Sequence, residues 1–433
     1  MKTKAWRLYA AGEARLENIE IPSAGEDGVV VEIVTNTICL SDWKAVTLGT
    51  GHKRVPKDIA ENPTMFGHEI SGIVREVGPK WAASFKVGQR VCIQPAFNIP
   101  GHEMETMGYA WHTIGGETTH VYLPSIIMEA GCLLPYDGDA FFRCSLAEPI
   151  SCIVSAFRTN YHHPFGSHVH EMGIQAGGRM LLMAGCGAMG LGCIDIALHN
   201  PEKRPSELVV TEVDGARLER AKEMFPVEEA AANGVKLKFV NPKVEALEGK
   251  FDDIFLFAAV PALITQCSDL LAFGGCLNFF AGPTDQKLSA PFNFYNIHYS
   301  NHHIVANSGG DVKDMSDSVD WIGRGCLHPE VMITHVGGID SAFEATMKLH
   351  EIPGGKRLVY THVDMPMTAI ADFAKLGESD PFYAELARLC AANHGLWNKA
   401  AEDYLLVHAP KTAIGEPTAK VVETCCAGVT LKV

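Results

Sequence analysis

The sequence lacks the features of membrane-spanning and secreted proteins. No run of about 18 apolar residues occurs along its 433 residues, so no segment is predicted to cross a membrane. The stretch Met1–Arg7 lacks the apolar core of a signal peptide. The 13 cysteines are odd in number and scattered, which is not the pattern of a disulfide framework. We therefore expect reduced thiols and a cytoplasmic location.

Positive charge is scarce as well. Lysine and arginine number 36 against 51 aspartate and glutamate, which gives a net charge of −15. Nucleic acid and anionic membrane surfaces both require a basic protein surface, so neither is expected as a partner. A small phosphorylated ligand would need a local basic pocket instead. The length allows two or three domains, each with its own core.

The residue pattern changes near residue 150 and predicts an α/β fold in three parts. Residues 1–155 show short alternating runs such as Val29–Val34, which are typical of β-strands. Residues 156–320 alternate strand and helix, which predicts a parallel sheet with helical crossovers. Residues 321–433 mix helices, interrupted at Asn393–Gly395, with a β-like end over 421–433. The strands predicted in the middle part are 179–184, 207–213, 251–257 and 275–281.

A glycine-rich turn in the middle part has the form GxGxxG. Gly185 permits a sharp turn after a strand, Gly187 permits close approach of a pyrophosphate, and Gly190 permits close packing of the next helix. Ala188 and Met189 open that helix, whose free N–H groups face the phosphates. An α/β domain without a nucleotide is the alternative interpretation.

Acidic residues after the next strand bear on the choice of cofactor. Glu212 lies 22 positions after Gly190 (212 − 190), close to the spacing of about 20 expected for a ribose-binding carboxylate. Such a carboxylate favours NAD, and Asp214 is placed to share this role. Arg217 keeps NADP possible, because a nearby arginine accepts a 2′-phosphate.

The first part offers a mixed set of metal ligands. Cys39 supplies a thiolate, His68 an imidazole, and Glu69 and Glu148 supply carboxylates. Each residue alone would more often have a structural role. Together they form a sulfur, nitrogen and oxygen set that suits a catalytic zinc ion with an open position.

Neighbours of these ligands have predicted supporting roles. Asp42 is placed to bond the second ring nitrogen of His68. Ser41 has a hydroxyl suited to proton transfer, and Glu69 and Glu148 are candidate assistants. A basic loop follows, and it is equally consistent with a substrate phosphate site or a solvated surface. Its predicted phosphate ligands are His52, Lys53 and Arg54, with Lys57 nearby.

At these motifs the chain resembles the zinc-dependent medium-chain alcohol and polyol dehydrogenases over most of residues 1–360. Gly67-His68-Glu69-Ile70-Ser71-Gly72 followed by Gly78 is similar to the zinc signature of that family, although Trp81 stands where a smaller residue is expected. The resemblance implies a GroES-like β-rich catalytic domain and a Rossmann domain with a doubly wound parallel sheet. It also implies a dimer or tetramer and further cofactor contacts. Those contacts are Ala258, Val260, Ala281, Gly282, Asn307 and Ser308.

Four further segments resemble the L-sorbose-1-phosphate reductase subgroup. The stretch 94–116 contains no cysteine where many relatives carry a four-cysteine zinc lobe, so we predict one catalytic zinc and no structural zinc. We predict an NAD(P)-linked interconversion of a ketose or its phosphate and a polyol or its phosphate. A dehydrogenase of unphosphorylated polyols or alcohols, a zinc-free reductase and a non-catalytic nucleotide-binding protein are the alternatives. The subgroup segments are residues 169–174, 199–203, 351–356 and 367–373.

Overall fold

The structure is a computed structural model that describes residues 1–97, 99–352 and 354–420. The β-like stretch predicted over 421–433 lies outside the described residues. In chain order the strands are β1 (Lys2–Ala10), β2 (Glu13–Glu20), β3 (Val29–Ile38), β4 (Thr64–Met65), β5 (Glu69–Val77), β6 (Arg90–Ile93), β7 (His120–Leu123), β8 (Leu133–Pro135), β9 (Tyr161–His162), β10 (Glu171–Met172), β11 (Arg179–Met183), β12 (Glu207–Thr211), β13 (Lys236–Val240), β14 (Phe251–Leu256), β15 (Leu271–Phe279), β16 (His303–Val305), β17 (Ile333–Gly338), β18 (Lys356–Tyr360), β19 (Thr368–Ala369) and β20 (Ala419–Lys420).

Helices connect these strands, and short 3-10 turns lie at 49–51, 79–81, 329–332, 339–341 and 370–372. In chain order the α-helices are α1 (Leu40–Leu48), α2 (Ser125–Glu129), α3 (Phe141–Ser145), α4 (Ala147–Thr159), α5 (Ala188–His199), α6 (Gly215–Met224), α7 (Val227–Ala232), α8 (Pro261–Leu270), α9 (Phe294–Tyr299), α10 (Val312–Gly323), α11 (Ala342–Met347), α12 (Phe373–Leu376), α13 (Pro381–Ala391) and α14 (Lys399–His408). Among the described residues, no helix is both long enough and apolar enough to span a bilayer.

The backbone divides into two compact units. The first comprises Met1–Glu148, Asp311–Gly323 and Ile333–Val433, and the second comprises Pro149–Gly310 and Arg324–Met332. The functional division predicted at residues 155 and 320 stays a prediction.

Two β-sheets form the core of the first unit. The larger has the order β19-β17-β18-β3-β5-β6-β8, with β7 also on β3, and the smaller has the order β20-β2-β1-β4. β3 is rich in valine, isoleucine and threonine, which favour extended backbone. It is central because it pairs with β5, β7 and β18. This strand positions the candidate metal centre.

The second unit is built on a six-stranded sheet with the order β13-β12-β11-β14-β15-β16. All its neighbouring strands are parallel. The first strand of this sheet, β11, lies in the middle, which is the order of a Rossmann fold. The predicted parallel sheet is therefore confirmed. The strand predicted from Gly275 begins four residues earlier, at Leu271, so its predicted start is wrong: Leu271 already pairs with Phe251 of β14.

The segment after β18 packs into the first unit. Trp397 is wholly buried and donates its indole N–H to the Tyr360 hydroxyl at 2.9 Å. The predicted interruption of the helices is confirmed, because His394 and Gly395 have φ angles of 54° and 76° between α13 and α14. Such angles end a right-handed helix.

Candidate functional site

Two neighbouring strands of the first unit bring three predicted metal ligands together. β3 and β5 are antiparallel, with Thr37 opposite Glu69. Because the strands run in opposite directions, Cys39 just after β3 lies beside His68 just before β5. Ligand atoms of Cys39, His68 and Glu69 all lie within 4.8 Å of one another.

Asp42 supports two of these ligands from the first turn of α1. Its Oδ1 lies 2.7 Å from His68 Nδ1, and its Oδ2 accepts a hydrogen bond of 2.9 Å from the Cys39 backbone N–H. The carboxylate and the imidazole are both buried. With Nδ1 of His68 bonded to Asp42, Nε2 is the nitrogen that remains to bind a metal.

The electrostatic setting of His68 favours a cation at this nitrogen. Burial alone would lower the pKa of His68, but the carboxylate of Asp42 and the thiol of Cys39 outweigh that effect and raise it well above its usual value. A metal ion competes with a proton for the same lone pair. The pocket is therefore built to hold positive charge.

Ser41 lies between the two ligands. Its Oγ is 3.2 Å from Cys39 Sγ and 3.3 Å from His68 Nε2. A hydroxyl at this point is within reach of any group bound by the thiolate and the imidazole. This is the position that a proton-transferring group would need.

Glu69 has two partners of its own in the structure. Its Oε1 is bound by the ammonium group of Lys356, and its Oε2 accepts a hydrogen bond from the Thr37 hydroxyl. Lys356 begins β18, which pairs with β3. It is wholly buried, and although burial alone would lower its pKa, Glu69 and Cys39 raise the pKa. Sequence reasoning missed this lysine. The pattern that could have identified it is a lysine at the start of a strand whose residues are all buried, because a buried lysine needs an anionic partner.

Glu148 is buried in the first turn of α4. It is not a member of the group whose ligand atoms lie within 4.8 Å of one another. Its negative charge nonetheless contributes to the raised pKa of Lys356, after the larger contributions of Glu69 and Cys39. The structure thus brings Glu148 near the lysine that holds Glu69.

A zinc ion fits this donor set. Cys39 offers the soft thiolate and His68 the imidazole that zinc prefers, and a carboxylate completes the set. The buried Asp42 fixes the ring orientation, as the partners of metal-bound histidines commonly do. Among the described residues, no candidate ligand group contains more than one cysteine.

Tyr109 connects the basic loop with the metal ligands. Its buried ring lies 5.5 Å from the His68 ring and 5.6 Å from the His52 ring, edge to face in both cases. Its hydroxyl lies 3.5 Å from Nη1 of Arg54. Lys53 is exposed, and Lys57 bonds the Thr50 and His52 carbonyl oxygens. The loop therefore places His52 and Arg54 beside the metal centre, with Tyr109, which sequence reasoning missed, between them.

The glycine turn of the second unit has the geometry that a pyrophosphate site needs. A Cβ on Gly190 would lie 2.1 Å from the Gly185 carbonyl oxygen, so only glycine lets α5 pack against the turn. A Cβ on Gly187 would meet nothing within 4 Å. The space in front of Gly187, at the N-terminus of α5, is therefore open to a ligand. Ala188 and Met189 form the first turn of that helix.

Three residues that follow β12 are predicted to decide between NAD and NADP, and they have different surroundings. Glu212 is buried, and its Oε1 accepts hydrogen bonds from the backbone N–H groups of Val213 and Asp214 at 2.8 and 3.1 Å. Asp214 caps α6 by accepting the backbone N–H of Arg217 at 3.0 Å. The Arg217 side chain is exposed. The backbone thus fixes the carboxylate of Glu212, while Asp214 serves the helix.

The remaining predicted cofactor residues follow the carboxyl ends of parallel strands. Those ends lie at one edge of the sheet, where ligands of doubly wound folds bind. Asn307 donates to the carbonyl oxygens of Cys152 and Gly309 at 3.3 and 3.1 Å. The other residues at this edge are Ala258 and Val260 after β14, Ala281 and Gly282 after β15, and Ser308 after β16.

Known proteins resemble this chain over most of its length. Residues 25–131 match the family of the alcohol dehydrogenase GroES-like domain. Mannitol-1-phosphate 5-dehydrogenase of Aliivibrio fischeri is 44% identical over 416 residues, with 94% of this chain and 97% of the relative covered. L-sorbose 1-phosphate reductase of Klebsiella pneumoniae is 42% identical over 413 residues, with 94% and 98% covered.

A solved structure shares the fold. The crystal structure of 2R,3R-butanediol dehydrogenase from Bacillus subtilis matches with a TM-score of 0.66 at 22% identity, covering 83% of this chain and 99% of that one. The expected pair of a GroES-like region and a Rossmann sheet is confirmed. Together with the two relatives above 40% identity, this shows that the chain belongs to the zinc-dependent medium-chain alcohol and polyol dehydrogenase family.

Proposed function

We propose that this protein is a zinc-dependent, NAD(P)-linked oxidoreductase that interconverts a ketose phosphate and a polyol phosphate. The observation that carries the proposal is the cluster of half-buried Cys39 with buried His68 and Glu69, supported by Asp42. The names of two relatives, a mannitol-1-phosphate 5-dehydrogenase and an L-sorbose 1-phosphate reductase, support the substrate class.

The residues of the candidate metal centre have distinct tasks in the proposed reaction. When bound, zinc supplies Lewis acidity at the substrate oxygen and the nicotinamide ring exchanges the hydride. Cys39 and His68 would hold the ion, with Glu69 or Glu148 as the carboxylate ligand. Oxidation removes a hydride from the carbinol carbon and a proton from its oxygen. Ser41 Oγ, next to both ligands, receives that proton and passes it on to water.

Replacement of single ligands tests the zinc role. Cys39→Ser and His68→Ala are expected to abolish turnover while NADH binding, followed by fluorescence, persists. His408→Ala replaces an exposed histidine on α14 and serves as the control. Full activity in either ligand variant, or the same loss in the control, would contradict the proposal.

NAD is the proposed cofactor, with NADP as the alternative. The buried carboxylate of Glu212 supports NAD, because it would repel a 2′-phosphate near the ribose. Glu212→Gln is expected to raise the relative kcat/KM for NADP, whereas Arg217→Gln is expected to change it little. A wild-type preference for NADP would show that Arg217 dominates instead.

The substrate phosphate is proposed to bind His52 and Arg54. The contacts of Tyr109 with both residues and with His68 support this role, since they hold two nitrogen donors beside the metal centre. Arg54→Met should lower kcat/KM for a hexitol phosphate about tenfold to a hundredfold, the value of a charged hydrogen bond. Rates with the unphosphorylated hexitol should not change. Arg388→Met, on the exposed face of α13, is the control.

We propose a homo-oligomer in a reducing compartment such as the cytoplasm. The described cysteines are all free thiols, which supports such a compartment.

The proposed self-association is supported by the second unit, which exposes large aromatic side chains, with Phe165 and Phe294 at 90% and 76% exposure. Light scattering of the purified protein measures the state, and a monomer at micromolar concentration would contradict the oligomer.

A further inference from the structure

A second group of potential metal ligands lies in the second unit, on residues that the dehydrogenase chemistry does not use. Asp195 and His199 are one turn apart near the C-terminus of α5, and His328 comes from the segment 324–332 of the same unit. Ligand atoms of the three residues all lie within 4.8 Å of one another. Their side chains are 1%, 25% and 47% exposed, so the group opens from the core to solvent.

The buried carboxylate of Asp195 is the unusual member of this group. α5 is otherwise apolar, and a buried carboxylate is costly without a positive partner or hydrogen bonds. Its Oδ2 accepts the backbone N–H of His328 at 2.8 Å, which fixes the carboxylate. Its Oδ1 lies 2.9 Å from Nδ1 of His199 and 3.4 Å from Nδ1 of His328. Both imidazoles therefore direct the same nitrogen at one oxygen.

These separations suit a divalent ion. Bonds of about 2.0–2.1 Å place tetrahedral zinc ligands roughly 3.3 Å apart, between the two observed distances. Nδ1 of His199 also lies 3.0 Å from the Asp195 carbonyl oxygen, and because a carbonyl only accepts, a hydrogen bond there requires the proton on Nδ1. Loading requires this proton to move to Nε2, which a neutral imidazole can do by a change of tautomer. Two imidazoles and one carboxylate, with an open side, favour zinc or a similar transition-metal ion.

A comparable group in the first unit does not offer such a site. Glu32, His120 and His362 also lie within 4.8 Å of one another. There, however, Arg75 Nε lies 2.7 Å from Glu32 Oε2 and already neutralises the carboxylate. His362 Nε2 faces the Thr119 carbonyl oxygen at 3.3 Å. That carboxylate has an arginine as its counter-charge, whereas Asp195 faces two imidazoles, which are themselves metal ligands.

We propose that Asp195, His199 and His328 form a second, structural binding site for zinc or a related divalent transition metal. The ion would join the end of α5 to the segment 324–332 within the second unit. This proposal departs from the sequence-based prediction of one catalytic zinc and no structural zinc, which was drawn from the absence of a four-cysteine lobe. It is separate from Cys39 and His68 and takes no part in the proposed reaction.

Metal stoichiometry tests the proposal. The untagged full-length chain is dialysed against zinc buffered at micromolar free concentration, and bound zinc is measured by elemental analysis. We expect two equivalents for the wild type and for His408→Ala, and one for His328→Ala and for Cys39→Ser. The double variant that combines Cys39→Ser with His328→Ala should bind no zinc. His199→Gln provides an independent variant that should also bind one, with dehydrogenase activity unchanged in both histidine variants.

The two proposals fail in different ways. Loss of one equivalent in His328→Ala but none in Cys39→Ser supports the second site and contradicts the catalytic zinc. Loss in Cys39→Ser alone overturns the second site. As a further readout, zinc should raise the melting temperature of the Cys39→Ser protein, and His328→Ala should remove that shift. If zinc raised the melting temperature equally in Cys39→Ser and in the variant that also carries His328→Ala, the second site would be overturned.

Discussion

The buried pair of Lys356 and Glu69 should be the most costly ion pair to break in the first unit. Both side chains are essentially inaccessible to solvent. Lys356→Met leaves the Glu69 carboxylate buried without its counter-charge, although it still accepts the hydrogen bond of the Thr37 hydroxyl. Removal of one member of such a pair costs about 3–5 kcal/mol, whereas removal of both charges is often nearly neutral. We therefore expect Lys356→Met to lose about 3–5 kcal/mol and the double change with Glu69→Gln to regain most of it.

Tryptophan fluorescence measures this loss of stability in the first unit. All 6 tryptophans of the chain lie in segments of the first unit, so denaturant titration followed by their emission reports the unfolding of that unit. The free energy of unfolding is compared between wild type, both single variants and the double variant, after removal of metal with a chelator. Lys356→Arg, which keeps the charge, is the control and should lose less than Lys356→Met.

Two results would refute the reasoning. A loss below about 1 kcal/mol in Lys356→Met would place the pair among weak surface ion pairs. A double variant no more stable than Lys356→Met would show that the lysine acts through packing rather than charge. With zinc bound, the loss should shrink, because a divalent ion beside Cys39 and His68 supplies positive charge to Glu69.

Three other residues give measurable outcomes. Asp42→Asn should weaken zinc binding by about 10- to 100-fold in a chelator competition, since it removes the anion that orients His68; unchanged affinity would contradict this role. Gly190→Ala should weaken NADH binding measured by fluorescence at least tenfold, because the new Cβ would collide with the Gly185 carbonyl. Burial raises the pKa of Glu402 to about 7 from 4.5. The folded protein thus binds the extra proton, so up to about 3 kcal/mol of stability is lost as the pH rises from 4.5 to 7, and Glu402→Gln should flatten that decline.

Local patterns in the sequence predict much of the fold. Alternating strands and helices over residues 179–281 predict the parallel sheet because each crossover is contained in a short stretch of chain. The proximity of His68 and Cys39 is likewise predictable from the sequence, because a two-stranded antiparallel ladder joins them. The glycine turn is predictable because each of its three glycines is required for a separate steric reason.

Partners that are distant in sequence are not predictable in this way. Lys356 lies 287 residues from Glu69, and their contact exists only because β18 and β5 flank β3. Glu402 on α14 accepts the backbone N–H groups of Phe141 and Phe142 at 2.9 and 3.0 Å, across about 260 residues. No spacing rule connects such residues, because the connection is made by tertiary packing rather than by periodicity.

Charge balance explains why a buried lysine belongs beside this metal centre. As a zinc ligand Cys39 is a thiolate, and Asp42 and Glu69 each add a carboxylate. Lys356 offsets one of these three negative charges, and a divalent cation offsets the other two. Without the ion, protonation of His68 is the available compensation, which is consistent with its raised pKa. The same balance implies that a neutral residue at position 356 would leave the loaded centre with an unpaired negative charge, and the free energy of unfolding of zinc-loaded Lys356→Met, compared with zinc-loaded wild type, measures that cost.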